Sequence, residues 1–533
     1  MIESWHGILH GLAVAGTPIN LLYTLIGVFI GTMISHLPGI GPSAGIALLI
    51  PVTFGMNPTA ALIMLAGIYY GCMYGGAVTA ILINTPGDAA AVMTTIDGYP
   101  LARAGRAGAA LSIAAMSSFV AGTLGVTALT FVAAPVAQLA LNFGPAEYFS
   151  LMIFALSTVS ALTGDSLAKG LLSTSLGLAI STVGLDLQSG RSRFTMGLVD
   201  LQQGVSFLVV VVGVFALAEV ARMAEGTLEG TMHSVRVRGR IWFTRQDWKE
   251  AFPAILRGSA VGFFCGSAPG LGGTISAMLA YVTEKNVSKH PEKFGKGAIE
   301  GVAAPEAAVN ADTCGAFVHL LALGIPASGS TAIIMGAFIM YGIQPGPLLF
   351  QNQPDLVWGL IASMYVGNVM LLVLNLPLVG LFARVLYAPP GVLLVMILGI
   401  ASIGVYSFET NPFMLYMALA FGAVGHLFRK LDIPKAPLIF GIILGGKIEQ
   451  SLRQAMTLSS GDALVFLKSP LSATLLVLAA VMIAFSFWAK RKSAATIPLP
   501  ATPPLAGQSV PDSPPTPSTN GEAKWHRASS TSP

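Results

Sequence analysis

The sequence predicts an all-α polytopic membrane protein of about 12 transmembrane helices, built from two internal repeats that contain Pro/Gly-broken or re-entrant helices. Three observations predict it. The chain is 54% hydrophobic and only 10% charged, where soluble domains carry about a quarter charged residues. Residues 4–87, 107–146 and 313–354 contain no Asp, Glu, Lys or Arg. A charge at the bilayer centre costs roughly 2.5–3.5 kcal/mol on insertion scales, so a membrane selects such runs. Finally, a matching pair of Pro/Gly motifs occurs in each half of the chain.

The apolar segments begin at residues 17–36 and end at 470–489. Several fall short of the roughly 20 residues a spanning helix needs, so they read as broken or re-entrant. The transmembrane domain is residues 1–492, with repeat one at about 17–223, a connecting loop at about 224–253 and repeat two at about 254–489. Arg222, Arg236, Arg238, Arg240, Arg245, Lys249 and Arg257 cluster in the stretch 222–257 around that loop, and Lys490, Arg491 and Lys492 follow the last span. Both stretches are predicted to be cytoplasmic. The net charge of +4 is therefore a topology signal and implies no nucleic-acid partner; the partner it implies is the lipid bilayer. Residues 493–533 are rich in Pro, Ser and Thr and cannot bury enough apolar surface to fold, which predicts a disordered cytoplasmic tail. The opening MIESWHGILHG has no basic stretch and reads as an amphipathic lead-in rather than a cleavable leader. Cys72, Cys265 and Cys314 lie in apolar segments without metal-site spacing, as small packing residues do.

The duplication carries the most information. Repeat one has Pro38, Gly39 and Gly41, then Asn84, Thr85, Pro86, Gly87 and Asp88; repeat two has Pro269, Gly270, Gly272 and Gly273, then Pro326, Ala327, Ser328, Gly329, Ser330 and Thr331. The prolines are 48 residues apart in the first copy (86 − 38) and 57 in the second (326 − 269), where a charged insertion at 284–297 accounts for the excess. Proline removes an N–H and clashes with the preceding turn. Glycine admits left-handed backbone. Together they end one helix and start another within the membrane. Lipid cannot satisfy the backbone groups this frees, so the breaks must face protein or water. Paired breaks in two repeats point to a transporter's binding site. Half-helix N-termini attract an anion, and unwound carbonyls attract a cation.

Individual residues sharpen this reading. Asp88 is both a natural N-cap and a candidate cation ligand or proton carrier, and the two roles are compatible. Asn84 and Thr85 offer neutral oxygens that suit a hard cation or a carboxylate, so a sodium site near Asn84 and Asp88 is a candidate; no structural metal is expected. Ser328, Ser330 and Thr331 are caps at a helix start and match Asn84–Asp88 in position. Glu306, Asn310 and Asp312 lead into the second break, with Glu306 and Asn310 on one helix face. His36 and His319 read as packing histidines near the breaks. Arg103 and Arg106 read as an interface loop. No Lys or Arg occurs in the apolar stretches around the breaks, so helix N-termini, hydroxyls and amides are the predicted anion ligands.

The motifs HLPGIGP, YGGAVTAILINTPG, DGYPLARAGRAGAAL, APEAAVNA, LGIPASGSTA and GIQPGPLLF resemble the large membrane subunit of the tripartite tricarboxylate transporters, over about residues 15–490. The resemblance implies a multi-pass bacterial inner-membrane permease working with a small four-helix membrane subunit and a periplasmic solute-binding protein. It implies uptake of tricarboxylates or related carboxylates driven by Na+ or H+, with no cofactor and no enzymatic activity. Relatives carry Asn-Asn where this chain has Val309-Asn310, so only Asn310 carries over. They favour Gly where this chain has Ala327. A channel-like pore and an intramembrane hydrolase are the alternatives. A hydrolase needs a nucleophile with a base or a metal cluster, and neither an HExxH nor a G-x-S-x-G on a suitable turn is visible; no Walker sequence is present, so the chain is not expected to be its own ATPase.

Overall fold

A computed structural model describes residues 2–37, 40–162, 166–186, 188–226, 242–376 and 390–493. Pro38, Gly39, Arg236, Arg238, Arg240 and the tail from 494 lie outside the described residues. Among the described residues the regular structure is helical apart from one short antiparallel ribbon pairing Gly184–Leu185 with Ser192–Arg193. Among the described residues, eight helices are long and apolar enough to cross a membrane, and four shorter apolar helices of 10–17 residues accompany them. Helices 245–266, 299–318 and 436–458 fall outside that set; their sequences carry charged groups at one end or buried inside.

Each repeat opens with a helical hairpin. In repeat two, helix Arg245–Gly266 turns through Ser267–Leu271 into helix Gly272–Val287. Arg257 Nε and Nη2, from the middle of the first helix, donate to Glu284 near the end of the second at 2.8 and 2.7 Å, tying the two helices together. In repeat one, helix Pro18–Ser35 turns into the shorter helix Pro42–Leu49. A long helix follows each hairpin: Pro58–Ile83, started by the Asn57 cap and wholly buried in protein, and Ile299–Val318, likewise buried.

The hairpin and long helix pack the same way in both copies. A β-carbon on Gly27 or Gly31 would stand 2.3 Å from the carbonyl oxygen of Met64 or Ile68; on Gly258 or Gly262 it would stand 2.4 or 2.1 Å from that of Ala304 or Ala308. One sequence offset carries Gly27 and Gly31 onto Gly258 and Gly262. A second carries Met64, Ile68, Asn84, Pro86 and Asp88 onto Ala304, Ala308, Gly324, Pro326 and Ser328. Small residues let membrane helices approach to backbone contact, which replaces the hydrophobic drive lipid cannot supply.

The copies exchange their break helices. Helix Val92–Leu101 of repeat one lies against Ile299–Val318 of repeat two: Thr94 Oγ1 donates to Glu306 at 2.5 Å, and Asp97 sits beside Gly301. Helix Gly329–Met340 of repeat two lies against Pro58–Ile83: Tyr69 OH is 3.3 Å from Ser328 Oγ, and Tyr341 OH donates to the carbonyl of Thr53. In the first pair the contacts run in opposite order along the two helices, so those partners are antiparallel. Asn368, on helix Pro354–Asn375, fastens the halves further by donating to Phe119 O at 2.8 Å and accepting from Tyr74 OH.

Asp97, which sequence reasoning passed over, is fully buried and accepts 2.8 Å hydrogen bonds from the backbone N–H groups of Gly295, Gly297 and Ala298 and from Tyr281 OH. It pins the charged insertion to repeat one. Leaving several buried donors unpaired costs about 1–3 kcal/mol each. Asp97→Ala is therefore expected to lower the melting temperature in detergent by several degrees, with Asp97→Asn intermediate. An unchanged melting curve would remove this role.

Candidate functional site

The four breaks form a closed ring. Gly41 faces Asp88: a β-carbon there would stand 3.8 Å from Asp88 Cβ. Ser43, in the first turn after Gly41, bonds across the repeats to Ser330, Oγ to Oγ at 3.0 Å. Gly270 N donates to Ala327 O at 2.9 Å within repeat two. Gly273 returns to repeat one, where a β-carbon would lie 3.3 Å from Ala90 Cβ. Each tip thus meets the second break of its own copy and that of the other.

Local chemistry explains each break. Helix Pro58–Ile83 ends on Asn84 in the left-handed region (φ 54°), and the equivalent helix of repeat two ends on Gly324 (φ 66°). Asn is among the few side chains that tolerate this conformation. Pro86 and Pro326 then forbid continuation. Asp88 and Ser328 restart the chain as N-caps, accepting from Ala91 N at 2.9 Å and Thr331 N at 3.3 Å. Thr331 Oγ1 also accepts from Ala327 N and Ser328 N at 3.0 and 2.8 Å, so it staples the second break. Gly87 has no room for a side chain, since a β-carbon would meet Ser35 O at 2.2 Å. Gly270 is left-handed at φ 88°, where the tip turns.

Where helices 272–287 and 329–340 begin, a cavity of about 290 Å³ opens. Gly270–Gly272, Thr274, Ile275 and Ala327–Gly329 line it, with Val159, Leu162, Ala436 and Phe440. None of these carries a charge. Two helix N-termini and the Ser328 and Thr274 hydroxyls are its polar elements, a set that matches the size and charge of a small carboxylate.

Of the residues singled out from sequence, Gly270, Gly272, Ser328 and Gly329 line this cavity. Gly41, Gly87, Asp88, Pro269, Gly273, Pro326, Ser330 and Thr331 build the ring around it; Asn84, Thr85 and Pro86 form the first-repeat turn outside the lining. Asn84 is exposed, and Thr85 Oγ1 donates to Ile83 O at 3.3 Å. Asn310 lies within helix 299–318, where Nδ2 donates to Glu306 O at 2.9 Å and Oδ1 is buried without a partner. Asp312 accepts from Ser276 Oγ at 2.5 Å, close behind the repeat-two tip. Sequence reasoning missed Val159, Leu162, Ala436 and Phe440, whose apolar side chains carry no local signal. The nearest hint was Lys435-Ala436-Pro437, a helix start with Pro at its second position.

Glu306 and Asp312 of repeat two are buried, and Asp88 of repeat one is partly buried. Among the described residues no three His, Cys, Asp or Glu side chains converge to hold a metal ion. A hard cation at the ring would depend on backbone and hydroxyl oxygens as well. Ser328 Oγ is bonded to Tyr69 and Thr331, neither a general base. Arg106 donates to Asp247 Oδ1 at 2.5 Å, at the start of helix 245–266, so it lies at the outer end of the hairpin and not at the tip.

Comparison with known proteins agrees with this architecture. The "Uncharacterized 52.8 kDa protein in TAR-I ttuC' 3'region" of Agrobacterium vitis is 45% identical over 476 residues, 89% of this chain and 95% of that protein. The "Uncharacterized protein in TAR-II ttuC' 3'region" of the same organism is 46% identical over 222 residues, 42% of this chain and 92% of that protein. No solved structure matches. Residues 21–440, from the first broken hairpin to the helix that closes the cavity, match a single family, and on that match the chain belongs to the tripartite tricarboxylate transporter TctA family.

Proposed function

We propose that this chain is the large subunit of a cation-coupled, binding-protein-dependent secondary transporter that imports tricarboxylates or related small carboxylates across a bacterial inner membrane. The ring of four breaks carries the reading. It brings two helix N-termini onto an uncharged cavity of about 290 Å³ between the repeats. A carboxylate there would be held by N–H groups and the Ser328 hydroxyl. Such a site attracts an anion without an unpaired buried cation when empty. Weak holding favours release, and a periplasmic solute-binding protein would supply capture. A small four-helix membrane subunit would complete the complex. The chemistry is movement, not bond-making, so no catalytic residue is assigned.

The coupling ion is Na+ or H+. Na+ would sit at the C-terminal carbonyls of helix 58–83 with Asn84 and Asp88; a proton would ride on Asp88, Glu306 or Asp312. Moving each negative charge into a negative-inside cell at 100 mV costs roughly 2.3 kcal/mol, which a cation gradient must offset. Uptake into membrane vesicles is expected to fall to equilibration when both sodium and proton gradients are collapsed. Concentrative uptake that persists without either gradient would reject coupling.

A further inference from the structure

We propose that a second cavity, at the far end of the helix that closes the break cavity, is a receiving site for a small polycarboxylate anion, anchored by Lys447. The cavity has a volume of about 610 Å³ and lies between helix Leu167–Ser181, the ribbon at 184–193 and helix Ala436–Leu458. Its cations are Arg193, Lys447 and Arg453; its carboxylates are Asp186 and Glu449. Arg193 pairs with Glu449 at 2.8 Å, and Arg453 with Glu449 at 2.5 Å and Asp186 at 3.5 Å. Among the described residues Lys447 has no ion-pair partner, and its side chain is only partly exposed. The cavity thus holds one uncompensated positive charge. A partly buried ammonium without a counter-ion is unfavourable, and an anionic ligand relieves it. Lysine offers a compact charge with three donors, and Gln450 beside it adds an amide.

Placement ties this cavity to the ring of breaks. Ala436 and Phe440 line the break cavity; Ile443, Lys447, Gln450 and Gln454 line the second. Alternating steps of four and three residues put all six on one face of the helix. Along that face the surface passes from helix N-termini, over buried Phe440 and Ile443, to a positively charged chamber. Helix Gly329–Met340 spans the same interval: Ser328 lies at its start, and Ile339 lines the second cavity near its end, about 16 Å away at 1.5 Å per residue. Lys435, Arg429 and Lys430 gather at the other, basic end of helix 436–458, where Glu225 takes the last two. The chamber therefore faces away from the basic end, toward the side from which a delivered anion arrives. Phe440 and Ile443 are the apolar barrier between receiving and transporting sites.

The polycarboxylate class rests on the transport reading above; the anion site itself does not. The test uses Gln454→Cys in the full-length protein in membrane vesicles and compares labelling by anionic and cationic methanethiosulfonates of equal size; the three native cysteines are buried. Relative to a free thiol, the anionic reagent is expected to be favoured about tenfold, as a focused unit charge allows. Lys447→Gln should remove most of that preference and Lys447→Arg should keep it. Citrate should slow labelling, and glycerol should not. A preference unchanged by Lys447→Gln, or absence of citrate protection in the Lys447 protein, overturns the proposal. Labelling needs no transport, so its failure beside normal Ser328-dependent uptake removes this site alone. Intact charge selectivity beside uptake indifferent to Ser328 removes the transport reading instead.

Discussion

Replacing Ser328 with alanine is expected to reduce carboxylate uptake, measured as kcat/KM, by about tenfold or more, while Ser328→Thr retains most of it. The hydroxyl lines the cavity, caps helix 329–340 and meets Tyr69 OH. Losing an N-cap costs about 1 kcal/mol, and losing a hydrogen bond to a charged ligand about 1.5–3 kcal/mol. The lost ligand bond alone exceeds the roughly 1.4 kcal/mol that a tenfold change requires; the lost cap lowers stability instead. Arg103→Ala and Arg106→Ala are expected to transport near normally once inserted, because Arg103 is exposed and Arg106 serves Asp247. If the arginine variants alone lose uptake, the cavity is not the substrate site. Asn84 needs a different substitution. Its left-handed backbone would cost an alanine roughly 1–2 kcal/mol, so Asn84→Ala mixes strain with chemistry. Asn84→Gly keeps the turn, as Gly324 does in the second copy, and isolates the side chain.

Valine at Gly262 is expected to prevent accumulation of folded protein. A β-carbon there would stand 2.1 Å from Ala308 O, and Gly31 faces Ile68 O in the same manner. Neither obstacle is a flexible side-chain tip; both are backbone. Overpacking of a close interface typically costs 1–3 kcal/mol and more where nothing can yield, so a loss of about 3 kcal/mol or greater is expected. Gly31→Val should behave alike, since the contact is duplicated. Gly399→Ala is the control, because nothing lies within 4 Å of its added carbon. Size-exclusion profiles and melting curves in detergent report the difference. A monodisperse Gly262→Val protein with an unshifted melting curve would show that the helices can part without cost.

Much of the fold was legible because a membrane constrains sequence strongly. The charge-free runs marked the spans, and the Pro/Gly motifs marked breaks whose described residues, from Gly41 on, touch one another. The capping roles of Asp88 and Ser328 were readable, because a short polar side chain after a proline has few other uses there. What escaped is what the sequence encodes non-locally. Asp97, the first residue of DGYP, looked like an ordinary polar residue, yet it organises a loop some 200 positions away. Phe440 and Leu162 are apolar among apolar neighbours, so nothing local separates a cavity wall from a packed core. Asn310, chosen by motif, is turned to its own helix. The pairing of repeat one's tip with repeat two's break also had no sequence signature, since both copies bear the same motifs.

The exchange of break helices leaves each half unfinished. Repeat one owns Ser43 but borrows Ser330; repeat two owns the Gly270–Gly273 tip but leans it on Ala90. A gene encoding one copy alone would specify a hairpin and a long helix with no counterpart to lay them against. It would have to dimerise head to tail before it could enclose a solute. Fusion of two such copies through the stretch between 226 and 242 turns that bimolecular encounter into an intramolecular one. Joined in one chain, the halves keep the same glycine–carbonyl contacts while their side chains differ. Ala327 stands opposite Gly87, and Ser328 opposite Asp88, so two breaks that turn alike in backbone are chemically unequal.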